Sequence, residues 1–111
     1  MNTLSELQQH SEVLKKQIRL AKQVRLLKEN PDFIDVILKG FCEDEMRRYM
    51  SLAVCEKLPQ DVRELCNTSA KASAILDNYL ASTIQLGANA EDDLVELDKQ
   101  IQELQLEDGA N

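Results

Sequence analysis

From Val62 to Leu104 an apolar or small residue returns in alternating steps of three and four. The series runs through Val62, Cys66, Ser69, Ser73, Leu76, Leu80, Thr83, Gly87, Ala90, Leu94, Leu97, Ile101 and Leu104, over six heptads. That alternation keeps one edge of an α-helix continuously available to other helices, as in a coiled-coil seam. A strand would need alternation by two, so the pattern commits nearly half the chain to one long helix. An unbroken helix of about 45 residues is roughly 70 Å long at 1.5 Å per residue. The middle of the seam is small, which permits close approach, and its end is Leu and Ile, which suits a stronger zipper. Gly87-Ala88-Asn89 is its weak point: Gly87 can end one helix and Asn89 can cap the next. The heptad phase is kept across these residues, which favours a continuous or kinked helix over a break.

The rest of the chain is punctuated at two prolines. Thr3 or Ser5 can cap a first helix with Glu6 in its opening turn, and no Gly or Pro occurs before Asn30. Leu4, Leu7, Leu14, Ile18 and Ala21 line one face, with Ser11 in the gap, and Val13, Leu20, Val24 and Leu27 form a second stripe beside it. Together they predict a face wide enough to meet more than one neighbour. In Asn30-Pro31-Asp32, Asn30 is pushed out of the helical region by the adjoining Pro31, and makes a good cap for a second helix. Phe33, Ile34, Ile37, Leu38, Phe41, Cys42, Met46, Tyr49, Met50 and Ala53 continue at helical spacing, and Leu58-Pro59 ends the segment. Gly40 lies inside it, as a point of close packing or a split. Asp44 and Arg48, four apart, are expected to pair on its exposed side.

The fold class expected is therefore all-α, an antiparallel helical hairpin or bundle with a long C-terminal coiled-coil-like helix. One domain covers 1–111, with a basic helix over 1–29, a middle helical segment over 31–57 and the long helix over 59–107. The chain holds four aromatic residues and no Trp, so the core rests on aliphatic side chains. No stretch approaches the roughly 20 apolar residues of a membrane span, and MNTLSELQQH has no apolar run of signal length, so no membrane partner is expected.

Charge is sorted by position. Residues 1–30 carry six basic residues against three acidic ones, and residues 91–111 carry eight acidic residues against Lys99. With a net charge of −7 the mean field repels phosphate, so nucleic acid is a possible but not a favoured partner. The basic side chains Lys15, Lys16, Arg19, Lys22 and Arg25 form the candidate electrostatic surface. They lack interleaved aromatics for stacking on bases, and the acidic C-terminal helix supplies a matching number of charges. Pairing between these helices, within a chain or between chains, is favoured over DNA. Leu76, Leu80, Leu94, Leu97, Ile101 and Leu104 are the candidate oligomer or partner interface, because the seam is longer than one 30-residue helix covers.

Three other groupings fit no chemistry. Asp92, Asp93, Glu96 and Asp98 lie on a helix rather than around the turning loop that calcium needs. Glu43, Asp44 and Glu45 with Arg47 and Arg48 read as a surface ion-pair patch rather than an acid–base centre. Cys42, Cys55 and Cys66 are odd in number, widely spaced and far in sequence from His10, the only imidazole. They read as buried cysteines of a reducing cytosol, not as zinc ligands or a nucleophile. No catalytic residue, metal site or cofactor is expected, and the chain reads as non-enzymatic.

The segment Asn30-Pro31-Asp32-Phe33, then Val36-Ile37-Leu38-Lys39-Gly40-Phe41, then Glu45 and Arg47, resembles small all-helical proteins encoded by tailed bacteriophages. Gly87 and Ala90 fit the Gly-x-x-Ala near the middle of a later helix in those proteins. The resemblance covers residues 20–100; Cys42 and the acidic tail are not part of it. It implies a phage protein of the host cytoplasm or the virion, with other phage structural or packaging proteins as partners, and it carries over no catalytic residue. The function expected is that of a non-enzymatic homo-oligomer in head assembly or DNA packaging. The alternatives are a small terminase-like DNA-binding accessory and an effector that binds a host protein.

Overall fold

The computed structural model of the chain describes residues 3–109. Among the described residues there is no strand; helix covers everything but Thr3, Asn30 and residues 54–59. The all-α expectation is met.

Helix α1 spans Leu4–Glu29. Its start is a reciprocal cap: the Glu6 N–H donates to Thr3 Oγ1 at 3.2 Å, and the Thr3 N–H donates to Glu6 Oε2 at 3.3 Å. Thr3, not Ser5, is therefore the cap. The chain turns out of α1 at Asn30, whose φ of −75° and ψ of 123° are extended, as a residue before proline requires. Asn30 Oδ1 then accepts the Phe33 N–H at 3.0 Å, with Pro31 in the first turn, which starts the next helix.

That middle segment opens as α2 (Pro31–Phe33), continues as a π-helix over Ile34–Glu45 and returns to α-helix as α3 (Met46–Ala53). The wide stretch was not expected from the sequence, yet it left a trace there. Half-buried Phe33, Ile37, Phe41 and Met46 succeed one another by four, four and five. Those steps overshoot the 3.6-residue repeat of an α-helix and suit i→i+5 bonding. At Gly40 an added Cβ would stand 3.1 Å from the Asp35 carbonyl oxygen, five residues back, so the missing side chain relieves crowding there. The helix ends at Ala53, earlier than the expected 57, and a short turn carries the chain to Pro59.

Helix α4 spans Gln60–Gly109 without interruption. Gly87 neither breaks it nor takes a positive φ. Of the thirteen seam positions only Val62 is exposed; the other twelve are buried or half-buried.

The chain forms two compact units, one of residues up to Val24 with those from Thr83, the other of Arg25–Ser82. In the first, α1 and α4 are antiparallel: Ala21 lies against Gly87, and Leu7 and Leu97 share one depression. Leu7, Leu14, Ala90 and Leu97 are its buried core, with Ile18, Leu94, Ile101 and Leu104 packed on them. Burying each Leu is worth about 1.5–3 kcal/mol. In the second unit the middle segment runs along the first part of α4, where Met46 and Met50 share a depression with Ala70 and Ala74. Cys42, Cys66, Ala70 and Ser73 are buried there. Ser73 is 0% exposed and its hydroxyl has no hydrogen-bond partner among the described residues. Such a group costs about 1–3 kcal/mol, so its small volume, not its polarity, suits the position.

Gly87 is the tightest point of the first unit. A Cβ there would fall on the Ala21 Cβ and 3.2 Å from the Gln17 carbonyl oxygen. Gly87→Ala is expected to lower stability by about 1–2 kcal/mol: with both the Ala21 Cβ and backbone in the way, overpacking takes the upper part of its range, about 2–3 kcal/mol, and helix propensity returns about 1. Urea unfolding reads this directly. An unchanged or raised midpoint would mean that the helices do not touch at Ala21.

Candidate functional site

The basic residues of α1 fall at its exposed and half-buried positions. Lys15, Lys16, Arg19, Lys22 and Arg25 are exposed, and Lys28 is half-buried. The buried residues of α1 are Leu7, Ser11, Leu14, Ala21 and Val24; Lys15, Lys16, Arg19 and Lys22 lie beside or opposite that edge, whereas Arg25 and Lys28 continue its line beyond Ala21. The acidic residues of α4 are arranged likewise: Glu91, Asp92, Asp93, Glu96, Asp98, Glu103, Glu107 and Asp108 are all exposed.

These two charged sets do not pair within the chain. Among the described residues the ion pairs are Lys15–Glu12 at 3.5 Å, Lys39–Asp35 at 3.9 Å and Arg48–Glu45 at 2.8 Å, each within three or four residues along its own helix. Lys15 and Asp98 edge the same depression without reaching ion-pair distance. Apolar contact, not charge, holds α1 to α4.

The expected Asp44–Arg48 pair is replaced by Glu45–Arg48. Arg48 donates from Nη2 to Glu45 Oε2 at 2.8 Å and from Nε to Oε1 at 3.3 Å, and its guanidinium lies 4.5 Å from the centre of the Tyr49 ring. Positions 44 and 48 straddle the passage from π- to α-helix at Glu45, which spoils four-residue spacing across it. Hydrogen bonding to Arg48 holds the Glu45 carboxyl below the usual carboxylate range. Both side chains face water, so this is a surface pair of small energetic weight.

The candidate interface residues of the seam have neighbours in their own chain. Leu80 and Leu97 are buried, at 5% and 6% exposure, and Leu76, Leu94, Ile101 and Leu104 are half-buried. The large apolar side chains left in solvent are others, which the heptad reading passed over. On α4 they include Leu65, Ile75, Leu86 and Val95. The first three each directly precede a seam residue, a widening of the stripe that the sequence does display. On α1 they include Val13, Leu20 and Leu27; of the second stripe only Val24 is buried.

Cys42 and Cys66 are buried, Cys55 is half-buried, and all three are free thiols. Burial pushes the Cys42 thiol up, and Asp77 and Glu43 add to this while Lys28 opposes it. Nucleophilic cysteines need the opposite shift. His10 is exposed and edges a depression with Asp93, Glu96 and Gln100. Among the described residues no group of three His, Cys, Asp or Glu side chains is placed to hold a metal ion. No described helix is long and apolar enough to cross a membrane.

No family model, curated protein or solved structure matches this chain.

The thiols give a direct check on the second unit. Cys42 is expected to react with a soluble maleimide far more slowly than Cys55 in the native protein, and at the same rate in denaturant. Its raised pKa favours the folded state fully below the ordinary thiol value of about 8.5, and that contribution is lost as pH rises beyond it. Equal native labelling of the two would contradict the burial of Cys42.

Proposed function

We propose that this chain is a non-enzymatic helical protein that self-associates and works through helix–helix contacts, in the head assembly or DNA packaging of a bacteriophage. The observation that carries the reading is the set of large apolar side chains exposed along α1 and α4 beside a seam that is itself filled. Leu65 and Ile75 are each 67% exposed and Leu86, on the same side of α4, is 52% exposed. Scattered exposed apolar residues are ordinary. Side chains repeated beside a heptad seam on one helix form a surface that another helix can cover. The phage setting is supported by the pattern from Asn30 to Arg47, together with Gly87 and Ala90.

A second reading, a DNA-binding accessory, is favoured by one observation: five of the six cations of α1 are exposed, and among the described residues none of the six is bound to an acid of α4. Both readings are tested in one experiment. Sedimentation on the order of tens of micromolar is expected to show an oligomer, with no shift when duplex DNA is added at low salt. A stable monomer would contradict self-association. Duplex binding lost in the Lys16→Glu, Arg19→Glu variant would establish the second reading instead.

A further inference from the structure

We propose that copies of this chain associate side by side, with the basic side of α1 in one copy docked on an acidic stripe of α4 in the next. The inference rests on the self-association proposed above and names its surface. Lys15, Arg19 and Lys22 are spaced by four and three, so they share one side of α1. Asp93, Glu96, Gln100, Glu103 and Glu107 alternate by three and four, so they form a second stripe of α4, acidic at four of its five positions. All eight are exposed. The basic side carries one ion pair, Lys15 with Glu12 on its own helix, and the acidic stripe carries none among the described residues.

The two stripes lie on opposite sides of the helical pair. Two antiparallel helices leave two grooves, one on each side of their common core. Glu12 and Lys15 edge one groove with Asp98 and Ile101. Asp93, Glu96 and Gln100 edge the other with Leu7, His10 and Leu97. Asp98 tempers the positive charge on its side, while Arg19 and Lys22 have no ion pair among the described residues. A body with complementary charge on opposite sides cannot satisfy itself internally. It can satisfy itself against a second copy presenting the other side. The occupant is thus this same chain, and the charge supplies register and selectivity. Contact between unlike surfaces is heterologous, so it builds a ring or an open filament, not a closed two-fold dimer. Leu86, exposed and one heptad before Asp93, adds an apolar position to the acidic stripe.

The test is a charge exchange on the full chain. One variant carries Lys15→Glu, Arg19→Glu and Lys22→Glu; a second carries Asp93→Lys, Glu96→Lys and Glu103→Lys. All six positions are exposed, and circular dichroism verifies that both variants stay helical. Each variant alone is expected to associate at least tenfold more weakly than the parent in sedimentation. An equimolar mixture should regain the parent's association and lose it again at about 0.5 M salt, where screening shortens to a few Å. Small amounts of the first variant should cap and shorten the parent's assemblies. If the parent associates but the variants associate equally well, the docking is wrong and the self-association stands. If the parent stops at a dimer that the first variant does not shorten, the side-by-side arrangement is wrong. A parent that stays monomeric overturns both proposals.

Discussion

The fold depends on one edge of α4 being filled by the chain's own residues. Along Thr83 to Leu104 that edge meets α1, and the core of Leu7, Leu14, Ala90 and Leu97 forms there. Along Cys66 to Leu80 the same edge is buried in the unit that holds the middle segment. The edge changes character to suit its neighbours. Where α1 comes closest it holds Gly87 against Ala21, and only a hydrogen fits. Where α1 offers Leu it holds Leu and Ile. Burial of small residues yields little area, so close approach near Gly87 draws on many short contacts, and the Leu-rich end supplies most of the apolar area.

Charge then takes a secondary place. Had α1 been held to α4 by ion pairs, Lys15, Arg19 and Lys22 would face Glu91 to Asp98 at bonding distance. The apolar edges turn them outward instead, and surface pairs would have contributed little in any case. The sorted charges are thereby left facing solvent. The central seam leucines are spent internally, and the residues beside them, such as Leu65 and Ile75, remain on the surface. The proposed contacts with other copies therefore draw on the charged stripes and on these flanking side chains.

Much of this was legible in the residues. Asn30-Pro31 marks the boundary because a residue before proline cannot stay helical, and the side chain of Asn30 caps the helix that begins at Pro31. The heptad series from Val62 to Leu104 marks most of α4 and nearly all its buried edge, since a helical repeat fixes which residues share a side. The same repeat is silent on which chain covers that side, so Leu76 and Ile101 read equally well as an oligomer seam. The π-helix escaped for a different reason. Apolar residues at Phe33, Ile37 and Phe41 satisfy either helix within a turn, and only the longer step to Met46 separates them. That shift also moved the Arg48 pairing from Asp44 to Glu45. Legibility therefore ended where a local pattern admits two geometries or two owners.

The central claim is that α1 covers α4 within one chain. A dipolar distance between spin labels at Gln9→Cys and Gln102→Cys, with the three native cysteines replaced by Ala, tests it most directly. Both positions are exposed, so the labels leave the core intact. Packing of α1 on α4 within one chain gives a short distance that persists when the labelled chain is diluted with a large excess of unlabelled protein. A short distance that vanishes on dilution would contradict it, because α1 would then be covering the α4 of another copy.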